Sequence, residues 1–243
     1  MNSKAVQGNF RVVVPAAGVG SRMAADRPKQ YLSLAGETVL DRTLEALLQH
    51  PQIERLLVAI GAQDQYWQHS KFYRDRRVTV VAGGTERCHS VLNALRSLES
   101  QIDPQDWVMV HDAVRPLVHL SDLGRLMGAV ANGGDGLVLG MPVCDTMKQT
   151  DASGQVMTTV DRSQLWHAFT PQVFRLGQLK SAIERCLSER VAVTDESSAM
   201  EYCGFKPLML QGGAANIKIT RPDDLRLAEL FLKSIQDCKN DTE

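Results

Sequence analysis

Two cations beside a run of small residues are the first chemistry visible in this chain. The stretch Val13-Val14-Pro15-Ala16-Ala17-Gly18-Val19-Gly20-Ser21-Arg22-Met23 is followed by Pro28-Lys29-Gln30. An apolar β-branched run that empties into Ala and Gly reads as a strand ending in an open loop. Gly18 and Gly20 let the backbone come close to a ligand. Unpaired N–H groups in such a loop form a cradle for an anion, and Arg22 and Lys29 add positive charge beside it. The chemistry indicated is phosphate binding, although the same residues would also make a Gly-rich turn flanked by two solvated cations. Neither familiar phosphate motif applies. A dinucleotide fingerprint needs a third Gly where Met23 stands, and a Walker A loop needs a G-x-x-x-x-G-K-[ST] run that the chain lacks.

Other groups of residues carry weaker signals. Gly83-Gly84-Thr85-Glu86-Arg87, with Ser90 soon after, joins a strand to a helix. It is a tight turn with a hydroxyl that could also read the edge of a base. His111-Asp112-Ala113 follows an apolar strand, and an Asp at the carboxyl end of a strand in an open α/β sheet is a ligand position as well as a capping one. Such a carboxylate can hold a divalent cation directly or through water. His111 itself reads as a packed, hydrogen-bonded residue. Arg115 precedes Pro116, which holds its backbone extended. Asp145-Thr146-Met147-Lys148 and Asp161-Arg162 read as hairpin residues, and Lys218 as a cation on a half-buried strand. No G-x-S-x-G serine is present.

The elements that must position these residues follow from the apolar pattern. Strands are expected at 12–14, 56–60, 78–81 and 107–110. Helical stripes run through Val39, Leu40, Thr43, Leu44, Leu47 and Leu48, through Val91, Leu92, Leu95 and Leu98, and through Leu123, Leu126, Met127 and Val130. This alternation predicts an α/β fold, a Rossmann-like, mostly parallel sheet with helices on both faces. After Gly133-Gly134 the pattern changes. The segments 137–143 and 156–160 read as two limbs of a hairpin around a turn-prone Thr150-Asp151-Ala152-Ser153-Gly154, so residues of about 141–163 are expected to project as an arm. Helices return at 177–190 and 195–202, strands at 208–210 and 217–219, and a closing helix at 222–235 with Asp223 and Asp224 in its first turn. The expectation is one domain over 9–238, arm included, with flexible tails at 1–8 and 239–243.

Composition narrows the function. With 27 Lys and Arg against 28 Asp and Glu in 243 residues, the net charge of -1 gives no basis for binding nucleic acid or an anionic membrane. The five cysteines are an odd number and never spaced C-x-x-C, which fits a reducing cytoplasm better than a disulfide framework or a zinc site. Residues 1–7 lack the apolar run of a signal peptide, and no apolar run is long enough to span a bilayer. A cytoplasmic enzyme is expected.

Taken together, these motifs resemble the signature of nucleoside-triphosphate transferases, and specifically the 2-C-methyl-D-erythritol 4-phosphate cytidylyltransferase family. The resemblance rests on the first loop with Pro28-Lys29-Gln30-Tyr31-Leu32, on Gly83-Gly84-Thr85-Glu86-Arg87 with Ser90, and on Val110-His111-Asp112-Ala113-Val114-Arg115-Pro116. Asp145-Thr146-Met147-Lys148, Trp166 to Gln172, Thr194-Asp195-Glu196 and Asn216-Ile217-Lys218-Ile219-Thr220 complete it. It covers about residues 10–235.

The resemblance implies transfer of a cytidylyl group from CTP to methylerythritol phosphate, in the non-mevalonate route to isoprenoid precursors. Arg22, Lys29 and Lys218 would be the catalytic cations at the α-phosphate. Pro15, Ala16, Ala17, Gly18, Gly20, Ser21, Gly83, Gly84, Thr85, Ser90, Asp112 and Ala113 would hold CTP. Arg115, Asp145, Thr146, Arg162, Thr170 and Thr194 would hold the acceptor. Mg²⁺ or another divalent cation would lie near Asp112. A homodimer would form through the arm, with Thr146 and Arg162 reaching the partner's acceptor phosphate. Three positions depart from the family pattern: Thr85 replaces a common acidic residue, Val114 a usual Ala, and Cys144 a basic or polar one. The residues leave open a sister enzyme acting on ribitol 5-phosphate, a purine- or sugar-specific nucleotidyltransferase, and a nucleotide sensor that does no chemistry. A fused synthase is not expected, given how soon the chain ends after the closing helix.

Overall fold

Val12 and Val14 pack into one apolar cluster, while Val13, pointing the other way, packs into a second. Leu56 and Val58 repeat the split against Leu57. Successive side chains of a strand face opposite sides. A strand apolar at every position is therefore buried on both faces, as in a parallel sheet sandwiched by helices.

The computed structural model describes residues 9–18 and 27–240, and it bears out the expected α/β architecture. Its elements in chain order are β1 (Phe10–Pro15), β2 (Ser33–Leu34), β3 (Glu37–Thr38), α1 (Val39–Leu48), β4 (Ile53–Ile60), β5 (Val78–Ala82), α2 (Arg87–Leu98), β6 (Trp107–Val110), α3 (Leu120–Ala129) and β7 (Leu137–Pro142). They continue with β8 (Met147–Thr150), β9 (Val156–Val160), β10 (Trp166–Arg175), α4 (Leu176–Ser188), α5 (Glu196–Tyr202), β11 (Leu208–Gln211) and α6 (Pro222–Asn240). The main sheet runs β11-β7-β10-β6-β1-β4-β5. β10 is antiparallel to both its neighbours, and the other pairings are parallel. Helices α1 and α3 cover one face through Leu40, Leu44, Leu47, Leu123 and Leu126. Helices α2, α4 and α5 cover the other through Val91, Leu95, Leu179, Ile183 and Met200. Each such side chain contributes about 1.5–3 kcal/mol on burial. A third cluster joins Ala228 of α6 to Leu34 and Val39, with Ile219 between them.

Three local readings need correction. The partner of 156–160 is β8, not 137–143: Lys148 pairs with Thr159 and Gln149 with Thr158. Residues 137–142 belong instead to the main sheet, because Leu137, Val138 and Leu139 are apolar on both faces and are buried between β10 and β11. The arm is thus narrower than its sequence suggests, although its turn falls where expected, with Asp151 accepting from the N–H groups of Ser153 and Gln155. Next, 217–219 is extended but is no strand. Ile219 N–H donates to Val114 O at 2.9 Å, an isolated backbone bond that, with the burial of Ile219 and the Lys218–Asp112 ion pair, docks the segment without building a ladder. Lastly, β10 had no reading as a strand. Its interior holds His167, Thr170, Pro171 and Gln172, which mask the apolar period. The closing helix continues to Asn240, past the expected start of the tail. Residues 1–8 and 241–243 lie outside the described residues.

Candidate active site

The sheet's order reverses at β1, which has β4 and β5 on one side and β6 on the other, so the crevice at the carboxyl ends of these strands is the ligand position of an open α/β sheet. The sequence places its chemistry there. Ala16, Ala17 and Gly18 follow β1, Gly83, Gly84 and Thr85 follow β5, and Asp112 and Ala113 follow β6. They enclose a cavity of about 210 Å³ lined by Pro15, Ala16, Ala17, Gly18, Lys29, Gly84, Thr85, Ser90, Asp112, Ala113 and Lys218. All of these were expected to hold or act on CTP. Gly20, Ser21 and Arg22, from the same set, lie outside the described residues.

Each wall of this cavity has a local cause. Gln30, 3 % exposed, donates through Nε2 to Ala16 O at 2.6 Å and Gly18 O at 3.1 Å, which occupies two of the loop's carbonyls. Gly83 is expected to touch the nucleotide but does not line the cavity. Its N–H donates to Ile60 O at 2.7 Å, and a Cβ there would lie 2.4 Å from Ala17 Cβ and 2.8 Å from Ile60 O. Close backbone approach is its role. Ser90, 1 % exposed, accepts from Gly84 N–H at 3.0 Å and donates to Glu86 O at 3.3 Å, so its hydroxyl shapes the loop that faces the cavity. Thr85, the departure from the family pattern, pairs with His89 Nδ1 at 3.1 Å.

A second cavity of about 230 Å³ adjoins the first. It is lined by Arg115, Thr170 and Thr194, all expected to hold the acceptor, together with Gln172 and Asp195. Arg87, Asp112 and Lys218 line both cavities. Thr170 falls where the β10–β7 register shifts, between Ala168 and Gln172, and such irregularities re-aim a side chain. Asp145, Thr146 and Arg162 line neither cavity. They are exposed at the root of the arm, where Arg162 Nη1 donates to Cys144 O.

The charges at the shared wall are strongly coupled. Burial would push the Asp112 carboxyl up, but Arg87, Lys218 and Arg115 outweigh it and hold the group well below the usual carboxylate range. Asp112 Oδ1 accepts from Arg87 Nε at 3.0 Å. Oδ2 lies 2.9 Å from Lys218 Nζ and 3.4 Å from Arg115 Nε. Burial lowers His111 to about 4, so it is neutral. Its Nε2 faces Arg115 O at 3.0 Å and must donate there, which leaves Nδ1 to accept from Thr170 Oγ1–H at 3.1 Å. Thr170 Oγ1 then accepts from Asp112 N–H at 2.9 Å. His111 is the packed residue that its sequence context suggested, and here it fixes a hydroxyl.

Apart from the arm residues Asp145, Thr146 and Arg162, most of the described residues matching the cytidylyltransferase pattern line one crevice, and comparison with known proteins points to the same family. Residues 10–234 match the family model described as IspD: 2-C-methyl-D-erythritol 4-phosphate cytidylyltransferase. The chain belongs to this cytidylyltransferase family. The relative of that name from Tolumonas auensis is 50% identical over 224 residues, covering 92% of this chain and 96% of the relative. The one from Photobacterium profundum is 47% identical over 227 residues, with the same coverages of 92% and 96%. Among solved structures, the Francisella tularensis 2-C-methyl-D-erythritol 4-phosphate cytidylyltransferase superposes with a TM-score of 0.80 at 37% identity, covering 92% of this chain and 99% of that one.

As a cytidylyltransferase-family site, the crevice also contains residues to which sequence reasoning gave no role. Arg87 donates through Nη1 and Nη2 to Glu196 Oε1 and Oε2 at 2.7 and 2.9 Å. Gln172 Nε2 donates to Asp195 Oδ2 at 2.8 Å, and Arg115 Nη1 donates to Asn216 O at 2.7 Å. Arg87 and Gln172 lie inside quoted motifs, but partners 109 and 23 residues away leave no local trace. The Val114 departure from the family pattern is buried against Leu117 and Ile219, a packing role. As for a metal, Asp112 offers one buried carboxylate to the wall shared by the two cavities. Its oxygens are already paired with Arg87, Lys218 and Arg115, so the arrangement fits a Mg²⁺ that rests mainly on substrate phosphates and keeps waters of its own. Glu86, Cys88 and His89 also bring ligand atoms within 4.8 Å of one another, but they start α2 beside Arg87, where the positive helix end repels a cation.

Proposed function

We propose that the chain transfers a cytidylyl group from CTP to 2-C-methyl-D-erythritol 4-phosphate, giving 4-diphosphocytidyl-2-C-methyl-D-erythritol and pyrophosphate for isoprenoid precursor synthesis. The observation that carries this reading is the placement of Lys218 at the junction of two cavities. One of them is walled by a backbone cradle with Lys29, the other by Arg115 and hydroxyls. Two phosphates brought to these cavities would meet at that lysine.

An acceptor phosphate oxygen would attack the α-phosphorus of CTP. The new P–O bond forms as the α–β anhydride bond breaks, and pyrophosphate leaves with the electron pair. The nucleophile is already anionic near neutral pH, so no general base is required. The obstacle is repulsion between two polyanions and charge growth at phosphorus, which positioning and fixed cations relieve. Lys29, Lys218 and Arg22 would stand at the α-phosphate, and the backbone from Ala16 through Gly18 to Gly20 and Ser21 would cradle the triphosphate. Gly84, Thr85, Ser90 and Ala113 would border the nucleoside. Arg115, Thr170 and Thr194 would hold the acceptor. Mg²⁺ held by Asp112, directly or through water, would screen the phosphate charge when bound.

Asp145, Thr146 and Arg162 would serve a neighbouring subunit. Support comes from the arm, a two-stranded hairpin with exposed Met147, Val156 and Met157 and, at its base, Trp166. An isolated hairpin is marginal in water, and apolar side chains left exposed on one call for a partner. A cytoplasmic homodimer is the assembly we propose. No described helix is long and apolar enough to cross a membrane.

The deciding experiment is pyrophosphate release with Mg²⁺, methylerythritol phosphate and each nucleoside triphosphate in turn. Release with CTP alone supports the reading. Release only with ribitol 5-phosphate as acceptor would reassign the substrate. CTP binding without release would make the protein a sensor.

A further inference from the structure

Of the three side chains that line both cavities, Arg87 has no place in the chemistry above, because its guanidinium is engaged by protein. Its Nη1 and Nη2 donate to the two oxygens of Glu196 at 2.7 and 2.9 Å, and its Nε donates to Asp112 Oδ1 at 3.0 Å. Glu196 is 1 % exposed and Asp112 is 5 % exposed, so both carboxylates are largely withdrawn from bulk water and depend on protein partners. One side chain therefore ties the start of α2 to the loop after β6 and to the start of α5. Thr194, just before α5, faces the second cavity.

The division of the Asp112 carboxylate gives this strut a consequence. With Oδ1 taken by Arg87, only Oδ2 is left for Lys218 and Arg115. We propose that Arg87 is a positioning residue for cytidylyl transfer: it fixes the Asp112 carboxylate through Oδ1 and so sets where Lys218 and Arg115 stand toward the two phosphates. The inference rests on the transfer reading above. Only a planar guanidinium can reach both carboxylates at once, since a lysine ammonium is a point charge on a flexible stem. Without the fork, Asp112 is free to turn both oxygens toward Lys218 and Arg115 and to draw them from the substrates. In-line transfer is sensitive to such displacements.

The test uses the full chain with Arg87→Lys, Asp112→Asn and the double variant. Each is assayed for Tm, for kcat, and for KM toward CTP and methylerythritol phosphate, with rates normalised to folded protein. Arg87→Lys is expected to lower kcat roughly tenfold to a hundredfold. In the Asp112→Asn background the same change should cost no more than about twofold, because the carboxylate it steers is gone. A residue that only holds the fold would lower Tm without this masking. Wild-type kcat and KM in Arg87→Lys, or penalties that multiply in the double variant, would overturn the proposal. Should Arg87→Lys fail to fold, Glu196→Gln releases the far end of the strut and is read the same way: lowered kcat masked by Asp112→Asn supports it, and wild-type constants or multiplying penalties overturn it. A wild-type chain that turns over no CTP with the acceptor overturns both readings. An active wild type matched by Arg87→Lys overturns this inference alone.

Discussion

Lys218 Nζ lies 2.9 Å from Asp112 Oδ2, with the carboxylate side chain nearly buried and the lysine side chain 39% exposed. The lysine is thus anchored at its protein side and open toward the cavities. An anchored cation loses little freedom when a phosphate arrives and does most for charge that grows in the transition state. Lys218→Ala and Lys29→Ala should each lower kcat by roughly a hundredfold to a thousandfold, about 3–4 kcal/mol, with a much smaller rise in acceptor KM. Steady-state kinetics decide it, and near wild-type kcat would remove either residue from the mechanism.

The exposed arm predicts complementation. If Arg162 serves the partner's site, mixing inactive Lys218→Ala and Arg162→Ala chains under conditions of subunit exchange should restore about a quarter of wild-type activity. Half the dimers are then mixed, and one of the two sites in each is intact in a two-fold assembly. Two variants that stay inactive after demonstrated exchange would place both residues in one chain's site.

Gly83 tests the loop proposed to border the nucleoside. A methyl at this position meets Ala17 Cβ at 2.4 Å and Ile60 O at 2.8 Å, the second a backbone atom of β4. Gly83→Ala should cost about 1–3 kcal/mol through overpacking and raise KM for CTP more than for the acceptor. Thermal unfolding and kinetics check the two halves separately, and unchanged Tm and KM would show that the loops can part without penalty.

His111 makes stability depend on pH. Buried and lowered from 6.5 to about 4, it stays neutral in the folded chain where the unfolded chain takes up a proton. The unfolded state therefore binds more protons across this window, and stability falls as pH drops from about 6.5 toward 4. The loss is of order 3 kcal/mol. Asp112 titrates in the same sense but at lower pH. Its lowered carboxyl contributes stability above the ordinary carboxylate range that is lost only at more acid pH, so the two windows separate. Urea unfolding at pH 7, 5.5 and 4.5 should show the decline in wild type and a flatter profile in His111→Gln.

Much of the site was legible without coordinates. Lys29, Asp112, Arg115 and Lys218 carry charge in motifs whose order and spacing are specific, and each stands in the crevice that an open α/β sheet reserves for ligands. Gln30, Arg87 and Glu196 were not assigned. A buried polar side chain announces itself only through its partners, and those of Arg87 and Gln30 come from distant segments or from backbone carbonyls.

The same division runs through the whole chain. By itself the sequence determined the alternation of strands and helices, since burial on both faces demands the unbroken apolar runs 12–14 of β1, 56–60 of β4 and 107–110 of β6. It also determined which residues bring charge to the crevice. Tertiary structure decided the rest. It put β10 antiparallel in the middle of the sheet despite a polar interior, gave residues 137–142 to the main sheet rather than to the arm, and docked the Lys218 segment through one backbone hydrogen bond, an ion pair and apolar packing without making it a strand. These are choices among partners far apart in the chain. They are settled by which backbone groups and apolar faces remain to be satisfied once the core has closed, and no local pattern of residues records that.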